Sequence, residues 1–296
     1  MTYDPQMYNK ADLPYAYSEI QARIAESAWG NYCERLRPKW ASVVRGWAPA
    51  PNVEWMVREY LAIKTVFGAS LLLGSMRYCQ AANLQVVVPY LAYYGLFNAA
   101  RAWVFMLPHH EWGAHDQILT MNHQTVHNVV VNEARNIDPA LGNWLDEILL
   151  RARASRELFS YRFPTGGPSD ERMPETLEAI GGARLLAELA QSNSEMLSRA
   201  LTKRGIKGET AAADDWRVMF AYQHEVANRR RTVLDWDDRL RIDQLITKER
   251  RPYDLIGMAR PGLLDDFFGA WLVDPHMPNP DAYDPDDDNR LLLQFN

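Results

Sequence analysis

At 296 residues, 47% hydrophobic and 24% charged, the chain is long enough to bury a full core in one large domain or two small ones without covalent staples. Its formal net charge of −6 excludes a strongly basic nucleic-acid surface spread over the whole molecule. Two cysteines in no pattern, Cys33 and Cys79, exclude a disulfide framework, and the polar start Met1-Thr-Tyr-Asp-Pro5 is unlike a signal peptide, so reducing cytoplasm with free thiols is the expected setting.

Residues 1–14 carry two prolines and no sustained period and read as an arm. Ser18 is placed to cap a helix in which Ile20, Ile24 and Ala28 recur, with its continuation through Tyr32, Leu36 and Trp40 broken at Pro38. Ala48-Pro-Ala-Pro-Asn52 reads as a linker closing this N-terminal subregion. A long helix is expected from Val53 to Tyr78, with Gly68 and Gly74 weakening its propensity so that packing must hold it.

The next stretch, Pro89 to Leu107, is apolar and aromatic on nearly every face, which belongs inside a bundle or against a partner subunit. Gly95, Ala99 and Ala100 leave room for a neighbouring helix. Val86–Leu107 is long enough to enter as a membrane-span candidate. Asn98 and Arg101 argue against it, since a mid-bilayer arginine costs at least about 2.5–3.5 kcal/mol. A buried helix is expected, with no membrane partner.

A histidine-rich loop at 108–122 follows, then helices at Thr125–Asn136, Ala140–Tyr161 and Thr176–Lys203, punctuated by Pro139, Pro164-Thr-Gly-Gly-Pro168 and Gly205. Asp214-Asp215 opens a predicted helix Trp216–Asn228, acid first and base last. Arg231–Trp236 suggests a strand or hairpin, and Leu263–Leu272 a short helix. From Val273 the chain reads as an acidic, solvated tail whose last apolar residues, Leu291-Leu-Leu-Gln-Phe295, either dock into a protein partner or fold back. The fold class is mainly α, organised as short helices over 1–50, a bundle over 53–203, a C-terminal extension over 204–273 and a tail over 274–296.

At Tyr93-Tyr-Gly-Leu-Phe-Asn-Ala-Ala-Arg101 the chain resembles the HEPN superfamily, many members of which carry a helix reading Tyr-Tyr-Ala-x-Phe-x-Ala-x-Arg. His123-x-x-Val126 after a loop, Arg156-x-x-x-x-Tyr161 at the end of the next long helix, and the amphipathic helix 176–203 agree with it. The resemblance spans residues 53–203 and implies a four- to five-helix bundle, commonly a homodimer. In that family catalytic members are metal-independent ribonucleases with an Arg-(four to six residues)-His motif. Others bind nucleotides or RNA or act as assembly partners in RNA-related, toxin–antitoxin or defence settings.

Three site readings follow. Arg217 and His224 match the Arg-x6-His spacing and, on a helix, share a face, although Val218 is apolar where the family prefers a polar residue. An arginine and an imidazole are the groups such a reaction needs, to hold the scissile phosphate and to move a proton. The second reading is binding without catalysis, through Arg101, His123 and the basic run Arg229-Arg230-Arg231, with RNA or a nucleotide as ligand. On structural grounds alone, Arg101 is expected to pair with Glu133, Asp146 or Glu157. The third is a metal site: His123 and His127 stand four apart, with a third ligand from the loop, His115, or from His224, though Gln124 replaces the glutamate of His-Glu-x-x-His. No phosphate-binding loop or dinucleotide fingerprint is present, and no cofactor is expected.

Overall fold

The computed structural model describes residues 15–110, 121–167, 174–207, 223–226, 229–232, 234–259, 262–272 and 283–293. In chain order these form α1 (Ser18–Arg23), α2 (Glu26–Arg45), α3 (Pro49–Ala81), α4 (Val88–Phe105), α5 (His123–Ile137), α6 (Pro139–Tyr161) and α7 (Thr176–Lys203). A hairpin of β1 (Gln223–Val226) and β2 (Arg229–Thr232) follows, then α8 (Trp236–Glu249), α9 (Leu255–Met258), α10 (Leu263–Gly269) and a 3₁₀ turn at Pro285–Asp288. The mainly α class holds.

The apolar stretch is α4, and it is the bundle's axis: α3, α5, α6 and α7 all pack on it. Leu96, Ala99, Ala102 and Trp103 are wholly buried, so most of its apolar surface lies within the chain's own core. Gly95 is required where α3 crosses, since a Cβ there would stand 2.6 Å from Leu73 Cγ. Among the described residues no helix is long and apolar enough to cross a membrane.

Helix ends follow local chemistry. Asn122 caps α5 by accepting from the Thr125 amide at 2.8 Å. Asp138 caps α6 at Ala140 and Leu141, with Pro139 in the first turn. Gly205, at φ +70°, follows the end of α7 in the left-handed conformation.

Other boundaries differ from expectation. The N-terminal break falls at Ile24-Ala25, and Pro38 lies inside the 20-residue α2. Burial of Trp29, Tyr32, Leu36 and Trp40 along that helix offsets the hydrogen bond that proline removes. The expected linker Ala48–Asn52 is the cap and first turn of α3, where proline costs little. Ser18 is not a cap: Tyr17 holds that position, and the carboxylate of Glu188, from α7, accepts from the backbone of Glu19 and Ile20 and from the Ser18 hydroxyl at 2.8–3.1 Å.

Glu188 belongs to a buried polar row on α7. Asn193 donates to the Met106 carbonyl at the end of α4 (3.2 Å), while Gln191 and Ser194 accept from the first amides of α9 at 3.1 and 3.0 Å. One helix thus satisfies the orphan backbone groups of three others.

The C-terminal part is fastened to α3. Asp238 of α8 accepts from Lys64 (2.5 Å) and Tyr60 (2.7 Å). The described part of the tail, residues 283–293, does not remain solvated: Asp288 pairs with Arg77 at 2.9 Å, Leu291 accepts from Arg184, and Leu292 and Leu293 are buried in the chain's own core. Gly74 makes this passage feasible, because a Cβ there would collide with Asp288 and Tyr283. Of the apolar residues considered for a protein partner, Leu291, Leu292 and Leu293 therefore pack in cis, as the fold-back alternative expects, and Phe295 lies outside the described residues.

Candidate functional site

The family-like residues converge where α4, α5 and α6 meet. The i, i+4 pair Tyr93 and Phe97 presents two rings of α4 to the start of α5, where His123 stacks on Phe97 (centroids 4.2 Å apart) and on Tyr93 (5.6 Å). The Tyr93 hydroxyl and His123 Nδ1 are 2.6 Å apart, in hydrogen-bond contact. From α6, Arg156 lies over the Tyr93 ring at 4.7 Å and reaches the Tyr94 hydroxyl at 3.5 Å.

Arg153, Glu157 and Tyr161 recur at i, i+4 and i+8 and so form one ridge of α6. Glu157 accepts from Arg153 (2.9 Å) and Arg156 (3.2 Å), and Arg153 also donates to Gln124. The Arg153 hydrogen bond, ahead of the charges of both arginines, holds the Glu157 carboxyl below the usual range. His123 is exposed yet titrates below its ordinary value, through desolvation first and then Arg156, Arg153 and Arg101. Its imidazole is therefore neutral near pH 7, with the Tyr93 hydroxyl donating to Nδ1. Burial in turn raises the Tyr93 phenol.

Arg101 does not pair with the carboxylates expected for it. Glu133 stands beside His109 and Asn136, Asp146 binds His127 and Arg135, and Glu157 binds the two arginines of α6. Arg101 instead lies half-buried near Phe97 and Phe105, at 6.0 and 5.5 Å, and burial lowers its pKa. Among the described residues, three arginines thus surround His123 against one carboxylate, a local cationic excess on an acidic chain. Beside them Tyr94 stands at the surface, and Tyr161 is 80% exposed. A cavity among Tyr93, Phe97, His123, His127 and Arg153 has enclosed room for about one water molecule, so a larger ligand has to lie on this face.

The other candidates fall elsewhere. His127 Nε2 is 2.7 Å from Asp146, while His123 Nδ1 faces Tyr93, so each imidazole already has a separate partner. His115 is outside the described residues, among which no group of three or more His, Cys, Asp or Glu side chains is arranged to hold a metal. Arg217 also lies outside them. His224 does not stand on a helix: it lies on β1, which pairs antiparallel with β2. The shared helical face that linked Arg217 to His224 is thus absent at the histidine. Arg229, Arg230 and Arg231 belong to β2 (Arg229–Thr232), which starts two residues before the strand or hairpin expected at 231–236, where Trp236 instead opens α8.

Sequence reasoning named Arg101 and His123 but missed Arg153 as part of this cluster. Its signal was the i, i+4, i+8 series with Glu157 and Tyr161. Comparison with protein-family models, with curated proteins and with solved structures returns no match.

Proposed function

We propose that this chain is a HEPN-like binding subunit that engages single-stranded RNA, without cleaving it, through the face made by α4, the start of α5 and α6. The observation that supports this reading is the cluster of His123 with Arg101, Arg153 and Arg156, edged by exposed Tyr94 and Tyr161. Guanidinium groups track a phosphate backbone, and exposed rings stack bases whatever their sequence. The resemblance supplies the setting: an RNA-related, toxin–antitoxin or defence system, with the protein acting as a homodimer.

Fluorescence anisotropy with a short labelled oligouridylate tests it. Arg153→Ala and Arg156→Ala each weaken binding severalfold, with a shallower salt dependence. Tyr161→Ala weakens it by about 1–3 kcal/mol, the worth of one stacked base. Affinities within twofold of the parent across all three variants would sink the proposal. Mixed RNA incubated with the protein and EDTA stays intact; cleavage abolished by Arg217→Ala or His224→Ala would restore the nuclease reading. Light scattering at micromolar concentration gives the mass of a dimer, and a monomer removes that part.

A further inference from the structure

Four helices begin or finish at one end of the bundle. The short connection 82–87 turns α3 back into α4, and Leu73 of α3 packs at Gly95 of α4. α6 also runs against α4: Leu149 shares a cavity with Ala100, and Arg156, two turns later, lies over Tyr93. α7 runs with α4, since Gly182 faces Leu96 and Asn193 reaches the Met106 carbonyl. The first residue of α7, Thr176, donates to Gln80 near the end of α3. The ends of α3 and α6, the starts of α4 and α7, and the loop 82–87 therefore make one face.

That face is apolar where it meets water. Leu177 is 81% exposed, Phe163 67% and Leu84 50%, and Val86 and Val87 are exposed beside them. Single exposed leucines are ordinary, whereas an apolar cluster marks an interaction surface. Four helix ends, each about 10–12 Å wide, cover about 400–600 Å² in plan, and their relief brings the surface near the ~800 Å² per partner of a standard interface. Arg162 and Glu175, next in sequence to Phe163 and close to Leu177, are exposed and have no ionic partner among the described residues. Their charged neighbours are taken: Glu178 by Arg151 at 2.5 Å and Arg77 by Asp288 at 2.9 Å.

We infer that this end of the bundle binds a second copy of the chain across a twofold axis, apolar residues at the centre, Arg162 of each copy against Glu175 of the partner subunit. A twofold contact sets one patch against itself, so the patch has to be self-complementary. Apolar groups meet that condition with one another, and one base with one acid meets it as a reciprocal pair. An anionic membrane would call for a basic rim instead. The inference rests on the homodimer part of the reading above, whose contact it places, and uses none of the residues varied there on the RNA face.

Sedimentation equilibrium of the full chain and of variants with unchanged melting temperatures tests it. Leu177→Asp and Phe163→Asp raise the dimer Kd about tenfold or more, since each sets an unpaired carboxylate into an apolar contact. Leu240→Asp leaves it unaltered, because Leu240 is exposed on α8, which is fastened at Lys64 away from this end. Arg162→Glu and Glu175→Arg each weaken the dimer severalfold, and the double variant returns to within about twofold of the parent. A dimer unmoved by Leu177→Asp and Phe163→Asp, or weakened as much by Leu240→Asp, overturns the inference and leaves the homodimer reading standing. A double variant no tighter than the singles overturns the reciprocal pair. A monomeric parent removes both inference and homodimer, and co-sedimentation of that monomer with phosphatidylglycerol vesicles would assign the face to lipid.

Discussion

At the scale of single residues, two contacts carry sharp expectations. Gly95→Ala gains about 1 kcal/mol of helix propensity but forces a methyl group into Leu73, and overpacking costs about 1–3 kcal/mol. Urea unfolding should show net destabilisation, and Leu73→Ala, itself costly, should relieve the Gly95→Ala penalty in the double variant. His123 provides the second. Its folded pKa lies below the ordinary 6.5, so as pH falls below 6.5 the unfolded chain takes up more protons than the folded one, and stability is lost. Resolved by NMR titration, the imidazole should move upward in Arg156→Ala, because one of the charges opposing its protonation is gone. A titration point unmoved by that change would mean that Arg156 does not face the ring. His123 was readable from the Tyr-Tyr-Gly-Leu-Phe run and the loop after it, whereas its company was not. Arg101 looked like half of a buried ion pair because sequence cannot show that Glu133, Asp146 and Glu157 each have other partners.

At the scale of elements, legibility followed the strength of the apolar period. α4, α6 and α7 bury broad stripes and end at Pro or Gly signals, and they fall within a residue or two of their predicted limits. The helix α8 went unseen because it buries only Ile242 and Ile246 among its apolar residues, although the reciprocal Asp235–Asp238 cap was present in the sequence. Ser18 was the obvious cap for α1, and no local rule points to a carboxylate 170 residues away. Burial, opposed by the backbone and hydroxyl donors, raises Glu188 to about 7. Between about pH 4.5 and 7 the folded state therefore holds a proton that the unfolded state has released, and stability falls as pH rises through that window. Glu188→Gln should flatten this slope in urea melts compared at pH 5 and pH 8; a slope equal to the parent's would show that the carboxyl does not titrate there.

At the scale of the molecule, composition conveyed that residues 274–296 are acidic but not that residues 283–293 pack back on the chain. Charge and proline content resemble a solvated tail, and the deciding facts are a bare Gly74, a waiting Arg77 and a place for two leucines. The Arg77–Asp288 pair is half-exposed at the arginine and contributes at most about 1 kcal/mol. Leu292 and Leu293, fully buried, contribute about 1.5–3 kcal/mol each as an upper estimate. Removing residues 283–296 should therefore lower unfolding stability by several kcal/mol, while Arg77→Ala alone costs little. Equal losses in the two variants would show that the tail is held by charge and not by its leucines.

The polar row of α7 also has a bearing on synthesis from the ribosome. Chains are made from the N-terminus, yet α1 depends for its first amides on Glu188, and the end of α4 on Asn193. Residues 18–24 must therefore wait, uncapped, until more than 160 later residues have emerged. Contacts of such long range also slow folding, because their closure entropy is met before their reward arrives. Nascent chains halted before Glu188 should be cut by protease within residues 18–24, and those released after α7 is complete should resist. The last long helix of the bundle thus acts as a checkpoint, keeping the earlier ones provisional until about two-thirds of the chain has been made.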